Sequence, residues 1–232
     1  MFQSDWNDFI NNITWFVRKD DKVQISACQK LDSDLFNPIE KFRIKFPLLT
    51  RLLSQSRITE IKINEKLFNL FAWTNSEKQT LGWLCAPPGI RSDNIELHKD
   101  HKVLLKCFGG ILEYWNQSED TWLANLNSAF VENDAYVGFK DWGNYIEEIC
   151  ADEGLIPYIN INDYIVFATE ANGNCTAYHK VTGEVIIFAT DHAFDHIECL
   201  EGYPEYTLYR INGCNDFSSW VENIASQWLD ML

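Results

Sequence analysis

"DYIVFATEANGNCTAYHKVTGEVIIFATD", residues 163–191, decides the fold. Three short runs rich in Val, Ile, Phe, Tyr and Thr are separated by "ANGN" and "VTG". Asn172-Gly173 and Thr182-Gly183 supply the positive φ angles that tight hairpin turns need. The stretch predicts strands joined by hairpins, which sets an antiparallel sheet at the centre of the chain. A further strand is expected in "EYTLYRI", residues 205–211.

Helices are expected around this run. "NDFSSWVENIASQWLDML", residues 215–232, places Phe217, Trp220, Val221, Ile224, Ala225, Trp228 and Leu229 on one apolar stripe, with Asp216 as N-cap. "DWGNYIEEICADEG", residues 141–154, offers Trp142, Tyr145, Ile146, Ile149 and Cys150 on one face and Gly154 as its stop. "NIELHKDHKVLLKCFGG", residues 94–110, reads as a helix that Gly109 ends in a left-handed conformation. "ILEYW" and "TWLANLNSAFV" are strand-like. Towards the N-terminus, "SDWNDFINNITWFVRK" carries helical spacing from Trp6 to Val17, with Ser4 as N-cap. "KVQISAC" reads as a short strand, and "FPLLTRLLSQS" as a helix with Pro47 in its first turn. "RITEIKI", "KLFNLFAW" and "TLGWLCA" read as successive strands, and "PPG" at 87–89 is the clearest break.

Strands bounded by helices imply an α+β fold: a mixed or mainly antiparallel sheet with helices packed on one side and a closing C-terminal amphipathic helix. Residues 1–88 are expected to form an N-terminal α/β extension packed on a core domain of residues 89–232.

Composition narrows the function. The chain has 232 residues, 46% hydrophobic and 14% aromatic, which excludes intrinsic disorder. No apolar run approaches the roughly 20 residues of a membrane helix. The acidic N-terminus lacks the basic start of a secretion signal. Seven Cys, an odd number with no C-x-x-C pair, point to a reducing cytoplasm and away from zinc ribbons. The net charge of −15 repels nucleic acid and anionic membranes and attracts a basic partner.

Several residues are candidates for chemistry. His192 and His196 stand four apart, a spacing that suits a metal-dependent hydrolase, with a third ligand from His179, Glu198 or Cys199. The plain alternative is a polar loop in which Asp191 or Asp195 caps a turn. His98 and His101 stand three apart, either as a second ligand pair or on a solvated helix face. No G-x-S-x-G elbow, phosphate-binding glycine loop or supported Cys–His dyad occurs. The expected cofactor set is empty. Trp115, Trp122 and Tyr203 lie beside loops, where they serve either as core or as interface anchors. The acid-rich segment is the best binding candidate: Asp191, Asp195, Glu198, Glu201 and Glu205 fall within fifteen residues, interleaved with Phe194, Tyr203 and Tyr206. Charge with aromatics would suit a basic, nuclease-like domain; the alternative is a solvated acidic loop.

From about residue 90 the element order resembles the SUKH superfamily. The resemblance is carried by the "FGGI" pair Gly109 and Gly110, by Glu170, Gly173 and Tyr178 in the hairpin, and by Phe217, Trp220 and Trp228 in the closing helix. It implies structural roles for these residues, and a cytoplasmic interaction protein without catalysis. Most bacterial members look like immunity proteins that bind a cognate toxin domain; others look like regulatory interaction modules.

Overall fold

The computed structural model describes residues 4–31, 36–90, 95–117, 126–191 and 196–232. Six helices are found there: α1 Ser4–Asn12, α2 Glu40–Lys45, α3 Pro47–Ser54, α4 Lys99–Leu105, α5 Trp142–Asp152 and α6 Phe217–Asp230. The strands are β1 Val23–Ile25, β2 Gln29–Lys30, β3 Arg57–Ile63, β4 Lys66–Thr74, β5 Thr80–Cys85, β6 Ile111–Trp115, β7 Leu126–Ala129, β8 Tyr136–Val137, β9 Tyr164–Glu170, β10 Cys175–His179, β11 Val185–Phe188, β12 Ile197–Cys199 and β13 Leu208–Ile211. They form one sheet in the order β1-β3-β4-β5-β6-β7-β9-β10-β11-β13-β12, with β2 beside β3 and β8 beside β9. Every pairing is antiparallel. The fold is α+β, closed by α6.

The opening stretch folds as its spacing requires. β9, β10 and β11 are consecutive antiparallel neighbours. The turn glycines Gly173 (φ 95°) and Gly183 (φ 79°) adopt the left-handed backbone, and they alone do so in their dipeptides. β9 is buried along almost its whole length and β11 along all of it. A strand buried on both pleats needs cover on both faces. On one face Ile165, Phe167, Tyr178 and Ile187 meet Phe217, Trp220 and Ile224 of α6. On the other, Tyr164, Val166, Ala177, Ile186 and Phe188 meet Ile146 and Cys150 of α5.

Helices therefore lie on both faces, a refinement of the one-sided layer expected. Residues of α2, α3, α4 and α6 share the first face, and α5 covers the second. α1 also covers the second face at the far end, where Trp6 and Phe9 pack against Ile61, Leu70, Ala72, Leu84 and Trp115. α1 ends at Asn12, short of the helix expected to Val17, though Ile13 stays buried and Phe16 and Val17 pack on the same cluster. α2 leaves no apolar spacing in the sequence, because "EKFRIK" is short and buries only Phe42.

Residue 88 falls between β5 and α4, and β5 pairs directly with β6. Trp73 and Trp83 pack edge-on at 5.0 Å and meet Trp228 of α6 at 5.6 and 4.9 Å. Glu222 of α6 accepts hydrogen bonds from the backbone N–H of Leu48 and Leu49 in the first turn of α3, at 2.8 and 3.1 Å. This caps a helix that Phe46 leaves uncapped by any side chain of its own. Segments on either side of residue 88 thus share one sheet and one core.

The left-handed stop expected at Gly109 is not there. α4 ends at Leu105, and it is Gly110 that has positive φ, at 92°. Gly109 serves a different need: a Cβ there would collide with the backbone oxygens of Ala86 and Pro87. Two stretches of main chain meet too closely for any side chain.

Candidate functional site: an acidic rim at the edge strand

β12 is the last strand of the sheet, and among the described residues it pairs only with β13. Ile197, Glu198 and Cys199 face Ile211, Arg210 and Tyr209. Asn212 N–H donates to the His196 carbonyl at 2.8 Å, and Leu200 N–H to the Leu208 carbonyl at 2.9 Å. In an antiparallel ladder such bonded pairs alternate. Positions 196, 198 and 200 thus turn their backbone groups towards β13, and Ile197 and Cys199 turn theirs outward. Side chains alternate in the same phase. Ile197 packs on the α6 side of the core with Ile211, whereas Leu200 joins the α5 side with Leu208. Glu198 and its cross-strand neighbour Arg210 lie on the α5 side and are exposed.

The loop from β12 to β13 supplies more charge. Glu201 and Glu205 are exposed. Glu205 and Glu153, just past the end of α5, both act on the Cys199 thiol. Burial pushes that thiol up, and these two carboxylates add to the shift. A thiol so placed stays protonated and is a poor nucleophile. Asp191 stands at the same end of the sheet, because Ala189 N–H donates to the Thr207 carbonyl and pins the end of β11 to the start of β13. Its carboxylate clamps the β9–β10 turn, accepting from Asn172 Nδ2 at 2.7 Å and from Asn174 Nδ2 at 2.6 Å.

The structure corrects one candidate and adds others. Tyr203 is not an exposed anchor: it is 6% exposed, and its hydroxyl accepts from the N–H of Tyr158 and Ile159 at 3.1 and 2.8 Å. It instead fastens the segment after α5 beneath the rim. There Tyr158 is 62% and Ile156 87% exposed. Nothing in the spacing of "GLIPYIN" marks these residues, which join the rim only through Tyr203. Tyr206 remains exposed. Asp195, His192, Phe194 and Trp122 lie outside the described residues.

His179, His98 and His101 are occupied otherwise. Nδ1 of His179 accepts from the N–H of Val181 and Thr182, at 3.3 and 3.2 Å, and so caps its own turn. Among the described residues no group of three or more His, Cys, Asp or Glu is arranged to hold a metal. His98 and His101 do not sit on a solvated face: they are 6% and 0% exposed. His101 Nε2–H donates to the Phe130 carbonyl at 2.7 Å, which leaves Nδ1 to accept the Tyr178 O–H at 3.0 Å. Tyr178 in turn accepts from His98 N–H at 3.3 Å. Lys45 Nζ lies 2.8 Å from Asp100 beside them.

Residues singled out by the resemblance are mostly core. Trp220 packs against Phe130 and Phe167, at 5.2 and 5.0 Å. Trp115, the other loop-side tryptophan described, is 2% exposed and meets Phe9 edge-on. Glu170, 7% exposed, accepts from Asn174 Nδ2 at 3.4 Å. Burial, with the nearby Asp191 charge adding to it and the Asn174 and Asn172 amides opposing it, pushes Glu170 up to about 7. All seven cysteines are free thiols. Among the described residues no helix is long and apolar enough to cross a membrane. Comparison with known proteins finds no match to a family model, a curated protein or a solved structure.

Proposed function

We propose that this chain is a non-catalytic binding protein that captures a basic protein domain on the rim built around β12. The observation that carries the reading is the set of exposed carboxylates Glu153, Asp191, Glu198, Glu201 and Glu205 around an open sheet edge, on a chain of net charge −15. Such a surface speeds encounter with a positive partner and selects against a negative one. Tyr158, Ile156 and Tyr206 supply the apolar area that a charged rim alone lacks. The resemblance to the SUKH superfamily supports the more specific form: a cytoplasmic immunity protein that blocks a toxin domain stoichiometrically.

The test is recovery of the partner from native cells, followed by titration of the purified pair at several salt concentrations. A basic C-terminal domain of a large secreted protein, bound one-to-one, is expected. The association rate should fall by about tenfold or more as salt rises from low to several hundred millimolar. Glu198→Lys combined with Glu201→Lys should slow association further. A partner that is acidic, or whose binding ignores both salt and these reversals, overturns the charge-driven reading. A basic signalling protein instead of a toxin would retain the rim and move the assignment to a regulatory interaction module.

A further inference from the structure

Resting on that reading, we infer how the basic partner is held: as an extended segment that adds a strand to β12. The outward-facing N–H and C=O groups of Ile197 and Cys199 form the recognition edge.

Three observations converge on this occupant. The phase of the β12–β13 ladder leaves the backbone groups of Ile197 and Cys199 directed away from the sheet, and no strand among the described residues takes them. A peptide laid along such an edge gains main-chain hydrogen bonds and reads side chains at alternate positions. The two faces of the edge also differ. Ile197 continues a row begun by Ile211 on the α6 side, so the added strand should place an apolar residue beside it. On the α5 side Glu198 stands next to Arg210 across the strand, and among the described residues no strand lies outward of it. A Lys or Arg in the added strand would complete an alternating row of positive, negative and positive charge, and opposite charges side by side stabilise a sheet. The carboxylates of Glu153, Glu201 and Glu205 extend the same preference around the end of β12. The occupant is therefore an alternating basic and apolar strand. A second copy of this chain fits poorly, because the antiparallel register that pairs the whole of β12, Ile197 to Cys199, would oppose Glu198 to Glu198 and add one acidic rim to another.

The experiment uses two blocked octapeptides of equal charge, one alternating Lys and Val and one alternating Lys and Pro, titrated against the isotope-labelled protein at low salt. Proline cannot donate to a ladder, so the second peptide keeps the charge and loses the pairing. The Lys-Val peptide is expected to bind at least tenfold more tightly and to slow amide exchange at Ile197 and Cys199. Cys199→Pro should reduce its affinity at least fivefold. That variant removes one outward donor and leaves the bonds of His196, Glu198 and Leu200 to β13 in place, which their unchanged exchange protection would verify. Equal binding of both peptides, without protection at Ile197 and Cys199, overturns strand addition and leaves the acidic rim as the binding surface. Binding of neither peptide overturns both. Equal binding of a Glu-Val peptide would retain strand addition but overturn the basic character of the occupant.

Discussion

Nδ1 of His101 accepts the hydroxyl proton of Tyr178 at 3.0 Å while Nε2 is committed to the Phe130 carbonyl, so both ring nitrogens are used by the neutral form. Tyr178 stands on β10 and His101 on α4, with Phe217 of α6 closing over them at 4.9 Å from the imidazole and 5.3 Å from the phenol. The pair joins a strand and two helices through one saturated polar contact in an apolar core. Tyr178→Phe removes the donor to Nδ1 and the acceptor for His98 N–H, leaving two buried groups unsatisfied. A loss of about 2–4 kcal/mol is expected, at about 1–3 kcal/mol for each orphaned group and with partial relaxation. Urea unfolding at pH 7.5 measures it; a change under 0.5 kcal/mol would mean the network contributes nothing.

The same histidine should make the protein acid-sensitive. Burial lowers His101 to about 4, with the Phe130 hydrogen bond opposing the shift and the His98 charge adding to it. Its unfolded value is about 6.5, so between pH 6.5 and 4 the unfolded chain binds the proton that the folded chain refuses. Stability due to this group is therefore full above pH 6.5 and falls as pH drops through that window, by about 3 kcal/mol in all. His98, lowered by burial, acts in the same direction. His101→Gln should flatten the slope of unfolding free energy between pH 6.5 and 4.5 relative to the parent. An identical slope would place the acid sensitivity elsewhere.

Glu170 should do the opposite. Its folded value of about 7 lies above the ordinary 4.5, so the folded state holds a proton that the unfolded chain has already lost between those limits. The benefit is present below pH 4.5 and disappears as pH rises through 7. Glu170→Gln keeps an acceptor for Asn174 and removes the buried charge. It should raise stability at pH 8 by about 1–3 kcal/mol and change it little at pH 4.5. Equal effects at the two pH values would show that Glu170 does not titrate in this range.

The Glu222 cap is a test of the join between the two ends of the chain. Its carboxylate reaches the first turn of α3 from 173 residues away in sequence. Glu222→Ala should cost about 1–2 kcal/mol, as loss of an N-cap does, and Glu222→Gln should recover part of it through one retained acceptor oxygen. The readout is thermal unfolding; a Gln variant no better than Ala would assign the effect to packing instead.

The sheet and its closing helix could be read from the chain because their signals are local. "ANGN" and "VTG" set two hairpins by backbone chirality, and the apolar spacing from Phe217 to Trp228 sets α6. The second helical layer was also latent in the sequence. "VIIF" shows no alternation because both its faces are buried, and only a sheet covered on two sides allows that. The acid-rich run was visible as charge, but its geometry was not. Tyr203 reads like an exposed anchor until Tyr158 and Ile159 are seen to donate to its hydroxyl, and Glu153 joins the rim from just past the end of α5. His98 and His101 mislead for the same reason: the flanking Lys99 is exposed and Lys102 half-buried, yet Phe130, Tyr178 and Phe217, remote in sequence, bury His101, and Tyr178 also packs on His98. Contacts across the fold carry no local spacing.

Gly109 and Gly154 separate two reasons for a glycine that the sequence alone runs together. Both follow an apolar helix, and both read as left-handed stops. Only Gly154 is one, with φ 70° and nothing within 4 Å of where a Cβ would stand. Gly154→Ala should therefore cost only the backbone term, about 1 kcal/mol. At Gly109 the conformation is ordinary, but a Cβ would run into the Ala86 and Pro87 carbonyl oxygens, where β5 leaves the sheet. Neither oxygen belongs to a side chain that could turn away, so the two segments must separate. Ala86 N–H donates to the Gly110 carbonyl at 3.1 Å, and that bond would be strained in the process. Gly109→Ala should cost more than about 3 kcal/mol, the scale of core overpacking with backbone displacement. Chemical denaturation of the two variants side by side decides the matter. A larger loss at Gly154 than at Gly109 would mean that the two segments at Gly109 separate at little cost and that close approach does not fix the residue there.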